Sequence, residues 1–297
     1  MSKQTWRIVA CCLFCVLVLF MGMSLGSAGI RLETTAAVLW EKLTGAQTGA
    51  PVDKAQAAIV WELRVPRVLL AFLAGAALAV SGVITQSVLR NPLASPYTMG
   101  VSSGASLAAA LYITAGAAPA LAGRMGLPLA GFFGGLASIL LVIGLASAMD
   151  RLLSVHTLVL TGMVFSLFIS AVLTVLLVLF RENWQQVFLW QMGSFAMRSW
   201  AYPAVLLPFL LIGMAAAVAF AKEMDILAFG EQAAMSVGVN TVAVKWVLLL
   251  VSALLAGAAV SLSGIIGFVD LIAPHMARRI FGPGHRVLLP MAALYGG

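Results

Sequence analysis

Long uncharged apolar runs, broken by short polar stretches, set the pattern of this 297-residue chain. Charge-free stretches at 8–30, 68–89, 125–149, 152–180, 201–221 and 246–269 each meet the roughly 20 apolar residues that a membrane span needs. Shorter apolar pieces cover 104–116 and 271–280, and a further one begins at Leu288. None of the runs alternates with the period of two that a transmembrane barrel requires. Lipid offers no partners to backbone amides and carbonyls, so helices are the remaining way to span. The pattern predicts an all-α polytopic membrane protein, a multi-helix bundle of about eight complete spans plus the start of a ninth. All of it forms one transmembrane domain over residues 1–297.

Composition agrees with that reading. Hydrophobic residues make up 62% of the chain and charged residues 9%, against about 25% charged in a soluble domain. Mean hydropathy is +1.07. The net charge of +7 would point to nucleic acid in a soluble protein. Here the basic residues are scattered one or two per loop, which fits topology control. Lys3 and Arg7 place the N-terminus in the cytoplasm ahead of an uncleaved first helix, because the small residues at 24–29 make only a weak cleavage signal.

Following the spans from there makes 31–63 and 181–200 external and 222–245 cytoplasmic. Nine Lys and Arg then lie inside and eight outside. Setting aside Arg64 and Arg67 leaves six outside, so that pair is misplaced for topology and asks for another role. The chain ends at Tyr295-Gly296-Gly297, a few residues into an apolar segment. That points to truncation, with a short re-entrant piece as the alternative.

Catalytic and metal chemistry are thinly represented. Cys11, Cys12 and Cys15 have no His or carboxylate nearby and read as lipid-phase thiols. No HExxH, GxSxG or Walker A sequence occurs, so no catalytic residue, metal site or cofactor is expected and the chain does not hydrolyse ATP itself. His156, His275 and His285 sit at predicted helix ends, where hydrogen bonding is the default role. Asp270 has two open readings: a functional intramembrane carboxylate or a helix-start residue at the outer interface. Trp184, Trp190 and Trp200 fit an aromatic belt, and Gly131, Gly134 and Gly135 have the spacing of close helix packing.

The break at 91–104 joins two apolar runs through Asn91, Pro92 and Pro96 and restarts at Gly100, Ser102 and Ser103. The prolines fix backbone angles and remove donors. Irregular backbone at this depth is tolerated only against protein or a water-filled cavity. A cytoplasmic-side turn beside a translocation path and a purely structural turn both remain open.

Several motifs in order resemble the FecCD family of ABC importer permeases. They are RVPR at 64–67, SGVITQSVLRNPLASP at 81–96, GVSSGA at 100–105, LTG at 160–162 and WQMGSF at 190–195. ILAFGEQAAMSVGV at 226–239, GIIGFVDLIAPHMAR at 264–278 and GHRVLLP at 284–290 complete the set. The resemblance implies a bundle of the type II ABC importer permease kind in the bacterial inner (plasma) membrane. Such a permease carries iron–siderophore complexes, or alternatively haem or cobalamin. It pairs with a second copy or a paralogue, sits on two separate ATPase subunits and receives cargo from an extracytoplasmic binding protein. No nucleic acid is involved.

By the same resemblance, Arg64 and Arg67 receive glutamates of the binding protein, with anchoring to lipid headgroups as the plainer alternative. Glu231, Ala234 and Gly238 belong to an EAA-type coupling loop that contacts the ATPase, with a solvated loop as its alternative. The family usually has Gly where this chain has Asp270, and it continues for another helix and a half. Rival classes are an ion-coupled secondary transporter, which needs carboxylates or broken helices in matched halves, and an intramembrane enzyme, which needs a facing Ser–His pair or metal ligands. A non-functional remnant of a permease gene is the last alternative.

Overall fold

The computed structural model describes residues 3–26, 28–46, 53–116 and 123–297. Ser27 of the small-residue stretch and the side chains of Lys3 and Arg124, used in the charge count, lie outside the described residues. Among the described residues every regular element is helical, and six helices are long and apolar enough to cross a membrane.

In chain order, α1 (Lys3–Ser24) is followed by α2 (Leu32–Thr44) and α3 (Lys54–Ala58). A π-turn (Ile59–Arg64) joins α3 to α4 (Val65–Val88), giving 35 residues of continuous helix. Then come α5 (Val101–Thr114), α6 (Gly126–Met149), α7 (Val155–Leu179), α8 (Trp184–Gln191), α9 (Ala201–Ala219) and α10 (Ala221–Leu227). The chain continues through α11 (Glu231–Ser236), α12 (Thr241–Ser263), α13 (Val269–Phe281) and α14 (His285–Gly296).

Three sequence expectations change. The external stretch 31–63 is not simply a loop, since α2, α3 and the π-turn occupy most of its described part. Asp53 starts α3 by accepting a hydrogen bond from the Ala55 amide at 3.2 Å, the usual N-cap arrangement. Second, α12 begins five residues before the apolar run, because the Asn240 side chain caps it through the Ala243 amide at 3.1 Å. That draws Lys245 out of the expected cytoplasmic segment and into a helix, where it is 0% exposed. Third, the apolar run 246–269 is not one span: helix stops at Ser263, and 264–268 runs without regular structure to α13.

The bundle is built around α4 and α12, which are buried on nearly every side. Lipid tails are as apolar as leucine, so close contact and polar ties hold such helices together. Small residues provide the contact. An added Cβ at Gly82 would overlap the Asp270 carbonyl, and one at Gly75 the Gly296 carbonyl. Gly104 and Gly134 face each other, each Cβ position lying 2.6 Å from the other's carbonyl oxygen. This meets the packing role expected of Gly134, and Gly135 adds a close approach to Val101. Polar ties come from Ser81 and Thr85 of α4, whose hydroxyls meet the Ser252 hydroxyl of α12 at 2.8 and 2.7 Å.

By contrast, α1 and α7 bury little. Of α7 only Leu158 and Gly162 are buried; one face is half-buried through Val159, Phe165 and Leu173, and the other is open to lipid or to another protein.

The Gly104–Gly134 crossing makes a testable claim. Gly134→Leu forces α5 and α6 apart and lowers stability by about 1–3 kcal/mol, read as a lower melting temperature in detergent. Gly144→Ala, on the same helix with open space at its Cβ, raises stability by up to about 1 kcal/mol through helix propensity.

Candidate functional site

At the end of the bundle carrying Arg90 and Glu231, which the charge pattern places in the cytoplasm, four stretches converge. They are the 91–100 turn, the start of α13, the α10–α11 segment and the loop between α6 and α7.

The turn is rigid for local reasons. Asn91 Oδ1 accepts from the Leu93 amide at 2.9 Å. Ser95 caps the short 3-10 turn Pro96–Met99 by accepting from the Tyr97 amide at 3.1 Å. Gly100 closes it at φ +91°, where a side chain is strained. The Gly100 carbonyl accepts from Ser138 at 2.7 Å and from Ser103 at 3.1 Å. Pro96 and Gly100 are buried, Asn91 and Pro92 are exposed, and Ser102 is half-buried. Asn91 and Pro92 line a cavity of about 460 Å³ together with Gln86, Arg90, Arg278 and His285.

The same turn reaches the break in the α12–α13 span. The Tyr97 hydroxyl donates to the Ile266 carbonyl at 3.0 Å, and Ser95 donates to Asp270 Oδ2. Asp270 therefore starts a helix, as one reading expected, but not at the outer interface. Its carbonyl rests on Gly82, six residues from the end of α4, which is about 9 Å of helix at 1.5 Å per residue. Asp270 is 1% exposed, and its Oδ1 has no partner among the described residues.

Pro274 explains the neighbouring contact. Proline at this position cannot donate to the carbonyl four residues back, which is that of Asp270. The Gln86 amide nitrogen of α4 takes its place, 3.5 Å from Asp270 O and 3.4 Å from Leu271 O. Gln86 in turn accepts from Arg278 at 3.1 Å. Ahead of the helix, Gly267 and Phe268 are exposed, and Phe268 holds a left-handed backbone at φ +70°. This break presents irregular backbone on the surface of the bundle.

The coupling-loop residues separate into supports and surface. Ala234 is fully buried under α11, and Gly238 turns the chain at φ +86° with open space around it. Phe229, Met235 and Val237 are 84%, 46% and 66% exposed. Glu231, half-buried, pairs with Lys245 Nζ at 2.8 Å and with Arg90 at 3.8 Å. Lys245 Nζ also donates to the Leu153 and Leu152 carbonyls, at 2.7 and 3.3 Å. All three donors of the ammonium are thus used. The sequence reading missed Lys245, although a lone lysine ahead of a long apolar run was its signal.

The α6–α7 loop is shaped for that contact. Asp150 Oδ1 accepts from the Leu152 amide at 2.9 Å and Oδ2 from the Ser154 amide at 2.8 Å. Hydrogen bonds from the Ser154 hydroxyl first, then from the Ser154 and Leu152 amides, hold the Asp150 carboxyl well below its usual range, at about 2. Leu153 takes a left-handed backbone at φ +50°.

The histidines behave unequally. His275 is exposed. His285 lies between Asp225, 2.5 Å from Nδ1, and the Ser87 hydroxyl, 2.5 Å from Nε2. A Ser–His–Asp chain forms here at the first residue of α14, the helix-end position and hydrogen-bonding role expected of this histidine. Ser87 is buried and lies 2.7 Å from the Val83 carbonyl of its own helix. This chain ties α4, α10 and α14 together.

At the opposite end the two arginines part company. Arg64 folds back onto the end of α1, donating to the Ser24 and Met23 carbonyls at 2.5 and 3.4 Å. A guanidinium there satisfies carbonyls that a helix C-terminus leaves open. Arg67, one turn on, is exposed. Nearby, Trp200 donates to the Trp61 carbonyl at 2.9 Å and packs on its ring.

Comparison with known proteins gives concordant results. The FecCD transport family matches residues 13–297. The chain is 36% identical over 95% of its length to the uncharacterized ABC transporter permease protein YvrB of Bacillus subtilis, covering 80% of that protein. It is 38% identical over 87% of its length to the cobalamin import system permease protein BtuC of Halobacterium salinarum, covering 69% of that protein. A solved inward-facing structure of a putative metal-chelate type ABC transporter superposes with a TM-score of 0.79 at 26% identity, over 97% of this chain and 85% of the other.

Two measurements test this geometry. Ser95→Ala removes the donor to a buried carboxylate and costs about 1–3 kcal/mol. Adding Asp270→Gly to it recovers part of that loss, and equal melting temperatures for single and double variants would refute the pairing. For Asp150, a depressed carboxyl stabilises the fold above its ordinary pKa of 3.8, and that contribution is lost as pH falls towards about 2. The melting difference between wild type and Asp150→Asn is therefore present at neutral pH and shrinks across that window.

Proposed function

The chain belongs to the FecCD transport family of ABC importer permeases, and from that premise we propose that it passes an iron–siderophore-type chelate inward across the bacterial inner membrane. The family is one of transport permeases and not of catalytic enzymes. In this reading two separate ATPase subunits supply the energy, and an extracytoplasmic binding protein delivers cargo. A second copy or a paralogue forms the other half of the path. The span count belongs to the same reading. With the irregular segments before them, the short α5 and α13 complete eight crossings, and α14 begins a ninth.

The observation that carries the proposal is the α10–α11 segment. Beneath it, Glu231 is held by two cations, and Ala234 is buried. Above it, Phe229, Met235 and Val237 expose apolar surface at an end of the bundle where the charge pattern expects cytoplasm. Exposed apolar anchors on a short helix with a glycine turn suit a groove on another subunit, here the ATPase. Closure of the ATPase pair then moves α11 and the spans attached to it, exposing the central path to one side at a time.

On the outer face, exposed Arg67 is the residue we assign to a carboxylate of the binding protein, since a guanidinium pairs with one bidentately. Arg64 supports it by fixing α1 against the π-turn. The Asn91–Ser103 turn holds the break at 264–268, whose exposed Gly267 and Phe268 face the path in this reading. Cobalamin is the second cargo reading, favoured by the relative named for cobalamin import; haem is the third. An ion-coupled secondary transporter is disfavoured, because Asp270 alone offers an intramembrane carboxylate, with no counterpart in the other half.

The test is co-purification of the chain with its neighbouring ATPase and binding protein in mild detergent. A complex with ATPase activity is expected, and its absence counts against the assignment. Within that complex Arg67→Glu weakens capture of the binding protein by about tenfold or more and leaves the melting temperature unchanged. Arg64→Glu lowers the melting temperature as well, because it breaks the tie to α1.

A further inference from the structure

The coupling reading leaves one question open: how displacement of a six-residue helix at the surface reaches α7. Among the helices, α11 packs mainly on α10 and α12. We infer that Lys245 is a positioning residue that links α11 to the α6–α7 loop, so that α7 moves with the coupling segment. The inference rests on the proposed function, in which α11 receives the ATPase.

Three observations carry it. The first is the buried charge. Lys245 is 0% exposed, and lysine is almost never fully buried unless paired. A well-packed apolar side chain holds helices together at least as well as a buried ion pair, so packing alone gives no reason for an ammonium here. The second is where the partners come from. Glu231 belongs to α11, Lys245 to α12, and the Leu152 and Leu153 carbonyls to the loop that leads into α7. One nitrogen thus joins α11 and α12, neighbours in the chain, to a loop 92–93 positions away.

The third is the shape of that loop. Its two carbonyls are aimed at Lys245 by a left-handed leucine and by an Asp150 carboxylate that gathers the Leu152 and Ser154 amides. A leucine in that conformation is uncommon and persists where surrounding contacts over-determine it.

The helix at the far end of the link is suited to move. Only Leu158 and Gly162 of α7 are buried, and elements with few buried contacts shift at low cost. Ser154 caps α7 and its amide bonds Asp150, so a pull on the loop acts on the first turn of the helix. Glu231 also has Arg90, just past the end of α4, within 3.8 Å, a second cation that helps hold its carboxylate against Lys245.

The experiment uses the complete transporter, with its own ATPase and binding protein, in proteoliposomes. Val178→Cys and Leu25→Cys, both at exposed positions, carry spin labels after Cys11, Cys12 and Cys15 are replaced by serine. Pulsed electron resonance reads the distance from α7 to the end of α1, without nucleotide and with vanadate-trapped ATP. The unaltered Lys245 background shows a nucleotide-dependent shift. Lys245→Met retains ATPase binding and basal ATP hydrolysis but loses that shift. Asp150→Ala, an accessible change that loosens the loop and its bond to Thr157 in the first turn of α7, reduces it.

An unchanged shift in Lys245→Met overturns the inference, as does the absence of any shift in the unaltered background. A shift lost in Lys245→Met but intact in Asp150→Ala overturns the route through the loop. Loss of ATPase binding in Lys245→Met makes the residue a docking support and overturns it too. Should Lys245→Met not accumulate, Asp150→Ala decides alone: a reduced shift supports the link and an unchanged one refutes it. Failure of the unaltered chain to bind its ATPase is a separate result, and it rejects the proposed function itself.

Discussion

Hydrocarbon supplies no hydrogen bonds, and that constraint governs where this chain is allowed to be irregular. Over most of its length helices satisfy the backbone internally. At the 91–100 turn and at 264–268 they do not, and side chains from other elements provide the missing partners. Gln86 reaches the carbonyl that Pro274 frees, Tyr97 holds Ile266, and Ser95 joins the turn to Asp270. The two breaks are therefore one structural unit, although Ser95 and Asp270 stand 175 positions apart in the chain. Such a unit places non-helical backbone on the surface of the bundle, and it does so without leaving the surrounding helices unsupported.

Close packing follows from the same solvent. With no hydrophobic drive between spans, association depends on contact distance and on a few polar ties. Glycines at 75, 82, 104 and 134 bring backbones together, and the Ser81–Thr85–Ser252 cluster ties α4 to α12. The result is uneven. A dense centre around α4 and α12 carries the stability, while α1 lies at its edge and α7 packs on α5, α6 and the 96–99 turn, each only slightly buried.

Charge is used sparingly and at junctions. Arg64 closes the end of α1, Arg7 reaches the Ile280 carbonyl near the end of α13, and Lys245 gathers three elements at one nitrogen. Each of these cations sits where a helix end or a loop leaves carbonyls open. The residues left exposed, Arg67 on one face and the apolar trio around α11 on the other, are those proposed to meet partners.

The sequence by itself determined the membrane class, the helical character, the existence of the six long helices, though not all of their ends, and the family. Apolar length and the absence of charge are local properties, and lipid converts them directly into helices. The order of motifs was equally legible, including Glu231 and Ala234 and, in the break between α4 and α5, Pro92, Pro96 and Gly100. Tertiary structure decided what distance along the chain conceals. Arg64 and Arg67 look alike in sequence, yet the π-turn sends one into α1 and leaves the other exposed. Asp270 reads equally as an intramembrane carboxylate or an outer-interface helix start until the segment at 264–268 sets its carbonyl on Gly82. Lys245 passes for a loop cation until Asn240 caps the helix early and buries it. For Arg64, Asp270 and Lys245 alike, at least one partner is a carbonyl or a hydroxyl on a remote element, and no local pattern encodes which of these will meet.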